Sequence, residues 1–300
     1  MNFTNFINSQ LSEWELARKN YAGLQAVETK TFNFNGFSVL VQFNPARIVS
    51  SGAKVDAAAI AQRKCFLCAE NRPKEQKGID VLDYELLVNP FPVFPQHFTI
   101  ASKAHQPQRI EPYFADLLYF AQLMPDYVVF FNAEGCGASA PDHLHFQAGT
   151  KEFLPLIADY KALKPTNGKA VYKHLGVEIL LLENYLRTVY CIEAATPEAA
   201  KAGFDFLYPQ LPKSPMKLAK INIVAHHEGG KYYVFVFPRA ASRPQQYCAE
   251  KEEDRLLVSP ASVEMGGVII VPLKADFEKI TKEDIVSIYS QVSANLAVFA

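Results

Sequence analysis

Hydrophobic and polar positions alternate along this chain in a way that predicts β-hairpins mixed with amphipathic helices. Strand-forming residues flank an Asn35-Gly36 pair, which is a strong signal for a two-residue hairpin turn. A second hairpin is expected over residues 220–239, with its turn at Gly229-Gly230. Apolar residues at helical spacing predict helices over residues 4–21, 111–124, 196–211 and 281–292. Further strands are expected over 97–102, 126–132, 143–149, 186–194 and 265–273, and residues 84–95 start as a strand that three prolines interrupt.

The order of these elements predicts two related α+β halves. Each half contains a strand pair, a helix and a second strand pair, although the two halves show no repetition at the level of single residues. Prolines and small polar residues over 164–168 place the boundary, which gives an N-terminal half over 1–165 and a C-terminal half over 166–300. A short additional helix is expected within residues 50–64.

Composition narrows the class of protein. The 300 residues are 49% hydrophobic and 20% charged, which excludes a disordered chain or a coiled coil. With 30 Lys and Arg against 31 Asp and Glu, the chain has no basic excess, and nucleic acid is not an expected partner. The first residues show no signal-peptide pattern and the apolar runs are too short to cross a bilayer, so we expect a soluble, cytoplasmic protein with no membrane partner.

The segment 132–147, NAEGCGASAPDHLHFQ, carries the clearest chemical signal. In a strand over 143–149, alternation places His143, His145 and Gln147 on one face. The small residues of the preceding loop let backbone N–H groups approach an anion. An imidazole beside such a loop suits nucleophilic attack on phosphorus. The alternative is a strand edge with two hydrogen-bonded histidines that carry no chemistry.

The second signal is the CxxC pair of Cys65 and Cys68. It is compatible with a metal knuckle, a redox pair or two buried thiols. The polar, proline-bearing segment that follows disfavours a redox motif, which requires a helix start. A zinc site needs two further ligands, and His105 and His143 at strand ends are the candidates.

Two other features have weaker signals. His226, His227 and Glu228 resemble a metal-binding run, but they precede the Gly229-Gly230 turn, so we expect a solvated turn. His97 begins a strand after a proline-rich approach, and the sequence leaves open whether it lines the site or only begins the strand.

The segment GASAPDHLHFQ resembles the active-site strand of the histidine-triad (HIT) superfamily. It is most similar to the branch in which glutamine replaces the third histidine, namely galactose-1-phosphate uridylyltransferase, diadenosine tetraphosphate phosphorylase and the GDP-hexose phosphorylases. CFLC, TIASKAH and HLH are similar to the zinc-binding arrangement of the uridylyltransferase. VLVQFNPAR resembles its phosphate-binding arginine segment, and VFPR and VSPASVEMGGVIIVP resemble C-terminal segments of the phosphorylases.

This resemblance implies a HIT-like α+β fold with two related halves, each an antiparallel sheet flanked by helices. It implies His145 as the nucleophile that carries the nucleotidyl group, Gln147 as the ligand of the transferred phosphoryl group, and His143 as a structural residue or zinc ligand. The implied substrate contacts are Asn132, Gly137, Ser139, Arg47 and Arg239. The implied structural zinc site consists of Cys65, Cys68, His105 and His143.

The implied activity is that of a nucleotidyltransferase or phosphorylase acting on a nucleoside diphosphate sugar or a dinucleoside polyphosphate. The uridylyltransferase has proline between its two histidines where this chain has Leu144, and Asp142 is inserted before His143. The acceptor therefore stays open between phosphate and a sugar 1-phosphate, and the oligomeric state between monomer and homodimer. Two alternatives are a zinc-stabilised nucleotide sensor without turnover and a nucleotide hydrolase.

Overall fold

The computed structural model describes residues 1–48, 60 and 62–296. Two helices open the chain, α1 (Phe3–Glu13) and α2 (Glu15–Gly23), where the sequence predicted one. The break lies at Trp14, whose backbone is extended (φ −117°, ψ 99°) and whose indole is buried. Phe3 of α1 packs edge-on against Phe98 and Tyr127, which fixes the N-terminal helix on the rest of the fold.

The first predicted hairpin is confirmed. Strands β1 (Glu28–Asn33) and β2 (Ser38–Phe43) pair antiparallel, and Gly36 in their turn has φ +84°. A late strand, β13 (Val268–Val271), adds to β2 in parallel and completes a three-stranded sheet. The short helix expected within 50–64 falls largely outside the described residues.

Ten strands form one continuous antiparallel sheet. The first half supplies five of them: β3 (Gly78–Val81), β4 (Tyr84–Val88), β5 (His97–Ser102), β6 (Tyr127–Asn132) and β7 (His145–Thr150). The second half supplies the other five: β8 (Gly168–His174), β9 (Val177–Leu182), β10 (Tyr190–Ala194), β11 (Ile221–Glu228) and β12 (Lys231–Pro238). The second predicted hairpin is therefore confirmed as β11 and β12.

The strand order across this sheet is β3-β4-β5-β7-β6-β11-β12-β10-β9-β8. Each half thus repeats the same order, and the halves meet through β6 and β11, where Asn132 lies opposite Asn222. Each half also places a helix between its third and fourth strands, α3 (Phe114–Leu123) and α5 (Pro197–Leu207). Phe114 and Phe204 of these helices stack with ring centroids 4.0 Å apart. The expected α+β fold with two related halves is confirmed.

The sequence missed the strands β3, β8 and β9, one long helix and two short helices near the end of the chain. Helix α4 (Pro155–Asn167) runs through the segment predicted as a linker and contains Pro165, and it leads into the unpredicted strands β8 and β9. The boundary proposed at 165/166 lies in the last turn of this helix. The last helices are α6 (Ser262–Met265), α7 (Lys274–Lys279) and α8 (Lys282–Val292).

Short 3₁₀ turns connect several of these elements. They occupy Leu24–Ala26, Pro45–Arg47, Ala69–Asn71, Glu111–Tyr113, Lys151–Phe153, Tyr208–Gln210 and Gln245–Cys248.

The large sheet separates two hydrophobic cores. Val129 and Phe131 of β6 pack into the core that contains α3 and α5, whereas Phe130 packs into the core that contains α4, α8 and the small sheet. In register with Phe130 lies Gln147 of β7, so the predicted site belongs to the second face. Of the helices in the described part of the chain, none combines the length and the apolar content that a bilayer crossing requires.

Candidate active site and metal cluster

His145 is the first residue of β7 and its ring is almost completely buried. Its Nδ1 lies 2.8 Å from the main-chain carbonyl oxygen of His143. A carbonyl can only accept, so Nδ1 carries the proton and Nε2 keeps its lone pair. Burial lowers the pKa of His145 to about 4. The ring is therefore neutral near pH 7 and presents a nucleophilic nitrogen.

Gln108 fixes the backbone around His145. Its side-chain oxygen accepts from the main-chain N–H of His145 at 2.8 Å, and its amide nitrogen donates to the His145 carbonyl at 2.9 Å and to the Asn132 carbonyl at 3.1 Å. The side chain is buried. It thereby ties the start of β7 to the end of β6. Nothing along the sequence marks Gln108, because its contact with His145 spans 37 residues of chain.

Gln147 lies two residues further along β7 and is partly exposed. Its side-chain oxygen is 3.0 Å from Nε2 of His97 and 3.4 Å from the amide nitrogen of Asn89. Main-chain N–H of Val93 donates to Nδ1 of His97 at 3.2 Å. Burial, followed by the charge of Arg47, lowers the pKa of His97 to about 3. His97 therefore lies in the site.

Asn132 stands at the junction of the two halves. Its side-chain oxygen accepts from Asn222 at 2.8 Å and from the hydroxyl and the main-chain N–H of Ser262 at 2.7 and 2.8 Å. Three donors on one oxygen fix the orientation of the amide. Asn222 and Ser262 were not predicted, although Ser262 lies within a segment that carried the resemblance.

Arg239 lies behind this junction and is fully buried. It donates to the side-chain oxygen of Asn222, and its remaining N–H groups donate to the carbonyl oxygens of Pro260, Val292, Ala241 and Ser242. All of its donors are therefore engaged by the protein. Arg239 therefore has no guanidinium N–H group left for a substrate, and it fixes the side chain of Asn222.

The small-residue loop that leads into β7 depends on Gly137. This residue has φ +96°, and a Cβ at this position would lie 2.4 Å from Cβ of Ala261. Gly137 and Ser139 are both exposed, so their backbone groups are accessible to a ligand. Arg63 closes the loop from outside through an ion pair with Asp142 at 2.6 Å.

Arg47 approaches the site from the end of β2. Its guanidinium donates to the carbonyl of Phe91 at 2.8 Å and is half-buried. Burial lowers the pKa of Arg47, and Glu264 opposes this shift. Burial raises the pKa of Glu264, whose carboxylate accepts from the Ala261 N–H at 2.8 Å. The charge of Arg47 thus acts on His97, and the buried carboxyl of Glu264 partly compensates it.

The predicted metal ligands form one cluster. The candidate ligand atoms of Cys65, Cys68, His105 and His143 all lie within 4.8 Å of one another. Nε2 of His143 donates to the Ser102 carbonyl at 2.7 Å, which leaves its Nδ1 lone pair directed at the sulfurs of Cys65 (3.3 Å) and Cys68 (3.6 Å). Nδ1 of His105 is 3.3 Å from the Cys68 sulfur. Two sulfurs and two imidazole nitrogens at these distances fit a tetrahedral zinc ion.

The cluster corrects one detail of the sequence analysis. His143 was expected inside the strand, on the face shared by His145 and Gln147, but β7 begins at His145. The side chain of His143 belongs to the cysteine cluster, while its carbonyl holds the ring of His145.

The run of His226, His227 and Glu228 is a second correction. All three belong to β11 and not to a solvated turn, and only 1% of His226 is exposed. Its ring stacks on Tyr233 and Phe235. Among the described residues, neither ring nitrogen of His226 has a hydrogen-bond partner.

Two family models match this chain, one in each half. Residues 6–150 match a domain of unknown function (DUF4922), and residues 164–300 match the family described as "GDPGP1-like, C-terminal domain". A 68-residue segment is 38% identical to galactose-1-phosphate uridylyltransferase of Staphylococcus carnosus (strain TM300). That segment covers 22% of this chain and 14% of the relative.

Solved structures show the same fold over nearly the whole chain. Yeast Ap4A phosphorylase Apa2 matches with a TM-score of 0.59 at 15% identity, over 93% of this chain and 93% of that one. The same enzyme in complex with Ap4A and with AMP matches with TM-scores of 0.58 and 0.57.

With this fold and its HLHFQ strand, the chain is similar to proteins of the histidine-triad superfamily. Within that superfamily, the matched proteins and family models belong to the branch of galactose-1-phosphate uridylyltransferase, diadenosine tetraphosphate phosphorylase and the GDP-hexose phosphorylases, to which this chain is similar.

Proposed function

We propose that this protein is a nucleotidyltransferase of the phosphorylase or uridylyltransferase type that works through a covalent nucleotidyl-histidine on His145. The observation that carries the proposal is the hydrogen bond from His145 Nδ1 to the His143 carbonyl at 2.8 Å, with Nε2 left as a lone-pair nitrogen. The relatives named above are uridylyltransferases and phosphorylases, which supports the same class of reaction.

In the first step, Nε2 of His145 attacks the α-phosphorus of a nucleoside diphosphate sugar or a dinucleoside polyphosphate. The new N–P bond forms as the bond from that phosphorus to the bridging oxygen breaks, and the sugar 1-phosphate or the nucleoside polyphosphate departs. The ring gains positive charge, which the His143 carbonyl stabilises through the Nδ1 proton.

In the second step, an oxygen of the acceptor attacks the same phosphorus and His145 leaves with its lone pair restored. Inorganic phosphate as acceptor gives a nucleoside diphosphate, and a sugar 1-phosphate gives a new nucleoside diphosphate sugar. Splitting one displacement into two lets a single nitrogen serve first as nucleophile and then as leaving group.

The remaining residues bind and orient. Gln147 and Asn132 each have the side-chain oxygen engaged by protein donors, so each has an amide N–H₂ group to offer to phosphoryl oxygens. The exposed backbone at Gly137 and Ser139 can add N–H donors. Arg47 supplies positive charge near His97, and Arg239 acts by fixing Asn222.

We also propose that Cys65, Cys68, His105 and His143 hold a structural zinc ion, as their donor set and spacing suit it. When bound, the ion supplies no step of the reaction; it cross-links the segment around Cys65 to His143. The five cysteines are all free thiols, which supports a reducing, cytoplasmic location.

The test uses a substrate labelled at the α-phosphorus and no acceptor. After a quench and proteolysis, we expect an acid-labile, base-stable label on the peptide that contains His145, as a phosphoramidate behaves. His145→Asn should carry no label and lose turnover by several orders of magnitude. His174→Asn, at an exposed position in β8, is the matched control. Label on Ser139, or normal labelling of His145→Asn, would contradict the mechanism.

A substrate panel addresses the acceptor and the base. UDP-, GDP- and ADP-sugars and Ap4A are each incubated with inorganic phosphate or with a sugar 1-phosphate, and released nucleotides are quantified. Turnover with phosphate alone identifies a phosphorylase, and turnover with a sugar 1-phosphate alone identifies a uridylyltransferase-type enzyme.

A further inference from the structure

We infer that His97 is a positioning residue that fixes the side-chain amide of Gln147 with its N–H₂ group directed at the substrate. The inference rests on the proposed function and names a role for a residue outside the HLHFQ motif. The sequence left the role of His97 open.

Two main-chain N–H groups fix the direction of the hydrogen bonds around His97, because an N–H group can only donate. The N–H of Val93 points at Nδ1 of His97 at 3.2 Å. Nδ1 must therefore carry the lone pair, and in a neutral ring the proton sits on Nε2. Nε2–H then donates to the side-chain oxygen of Gln147, 3.0 Å away.

The second N–H group belongs to Phe91 and points at the side-chain oxygen of Asn89 at 2.9 Å. This contact fixes the orientation of the Asn89 amide, so its nitrogen is the end that faces Gln147, at 3.4 Å. The same nitrogen also lies 3.2 Å from the hydroxyl of Thr99. The side-chain oxygen of Gln147 thus accepts from two donors, His97 and Asn89, and a different main-chain N–H group fixes the orientation of each.

Only one orientation of Gln147 satisfies both donors. If its amide were rotated by 180°, its N–H₂ group would face the N–H of His97 and the N–H₂ of Asn89, and no acceptor would be present among them. In the observed orientation, the Gln147 amide nitrogen makes no hydrogen bond to any described residue. It lies on the same strand as His145, two residues along, and therefore on the same face.

The surroundings of His97 keep its ring neutral, with the proton on Nε2. The side chain is buried, and the rings of Phe94 and Phe130 pack against it with centroids 5.2 and 6.0 Å away. The guanidinium of Arg47 faces it from the end of β2 and disfavours a second proton. If the ring carried a second proton, the N–H at Nδ1 would face the main-chain N–H of Val93, and neither could accept. The fold therefore accommodates the neutral ring.

A double-mutant cycle tests the inference. His97→Phe keeps an aromatic ring between Phe94 and Phe130 but removes the donor, and we expect kcat of the first step to fall about tenfold, with a smaller change in KM. His97→Gln restores an N–H donor and should recover most of this loss. In a Gln147→Leu background, His97→Phe should cause no further decrease, because its effect passes through Gln147. Additive losses in the double variant would overturn the inference, as would equal defects in His97→Phe and His97→Gln.

A second measurement does not depend on turnover. The ¹⁵N resonances of the His97 ring, assigned against His97→Phe, report which nitrogen carries the proton. We expect a protonated Nε2 and a bare Nδ1 at pH 7. A protonated Nδ1 would overturn the inference even in an active enzyme. If instead the expected tautomer is found in a protein that transfers no nucleotidyl group, the proposed function fails and the positioning of Gln147 stands.

Discussion

His143 and His145 are joined by a hydrogen bond in which the main-chain carbonyl of the first accepts from Nδ1 of the second at 2.8 Å. The side chain of His143 simultaneously belongs to the cysteine–histidine cluster. One residue therefore connects the metal cluster to the proposed nucleophile through its own backbone. We therefore expect a change at the cluster to shift the ring of His145.

Removing one cysteine of the cluster tests the link between the metal site and His145. Cys65→Ser replaces a sulfur 3.3 Å from His143 Nδ1 with a poorer zinc ligand, and we expect loss of about one zinc ion per chain by elemental analysis. Turnover should fall and the melting temperature should decrease by several degrees, because the ion stabilises the fold that binds it. Cys248→Ser, at an exposed thiol, is the control and should change neither quantity. A zinc-free, fully active wild type would remove the metal from the proposal.

Gly137→Ala should damage both stability and activity. The new methyl group would lie 2.4 Å from Cβ of Ala261, and alanine is strained at φ +96°. We expect a loss of about 2–3 kcal/mol in the free energy of unfolding, measured by urea denaturation, together with a lower kcat. Gly135→Ala is the matched control, because Gly135 has φ +66° but no atom of the described residues lies within 4 Å of its added Cβ. Equal effects of the two variants would show that the contact with Ala261 is unimportant.

Arg47→Lys should weaken binding of the diphosphate while leaving the fold intact. Lysine keeps the charge but loses the planar fork that can hold the Phe91 carbonyl and a phosphate together. We expect KM to rise about tenfold, with a melting temperature near that of the wild type. Arg109→Lys, at an exposed position, serves as the control. Wild-type kinetics in Arg47→Lys would place this residue outside the substrate site.

His226 should make the protein less stable in acid. Burial, together with the charge of Lys151, lowers the pKa of His226 to about 4, and Glu228 partly opposes this while Lys161 and His227 add to it. An unfolded chain binds the proton near pH 6.5, so unfolding takes up a proton between about pH 6.5 and 4. Stability is therefore lost as the pH falls through this range, by about 3 kcal/mol in total.

His226→Phe removes the group that takes up this proton and keeps an aromatic ring stacked on Tyr233 and Phe235. The variant should be more stable than the wild type at pH 7, since a buried ring without hydrogen-bond partners among the described residues is replaced by an apolar one. Its unfolding free energy should also fall less steeply below pH 6.5. His174→Phe, at an exposed site, should leave the pH profile unchanged. Identical acid profiles of His226→Phe and the wild type would contradict the assignment.

The sequence predicted those parts of the fold that local chemistry specifies. Asn35-Gly36 and Gly229-Gly230 identify their hairpins because φ is positive at Gly36, Gly229 and Gly230. Helix α4 was missed because Pro165 and Gly168 signal a linker, whereas burial of Tyr160 and Leu163 against the sheet stabilises a helix there. Tertiary packing outweighed a local signal in that segment.

In the candidate site, too, the sequence predicted the residues of a local motif and missed the residues that distant contacts bring in. His145 and Gln147 share a short motif, and their placement on one face follows from strand alternation. His97, Asn89 and Gln108 reach the site through contacts across 50, 58 and 37 residues. No pattern along the chain encodes such distances, so only the three-dimensional structure brings these side chains to the motif.

The pairing of Asn132 with Asn222 lies where β6 of the first half joins β11 of the second half. A half cut from the chain would expose β6 or β11 as a long apolar edge, which is a template for aggregation. Joined, the halves cover each other's edge, and β12, which stands where β7 stands in the first half, carries no histidine. The second half thus protects the strand edge of the half that holds the proposed nucleophile, and through Asn222 and Ser262 it also fixes the side chain of Asn132.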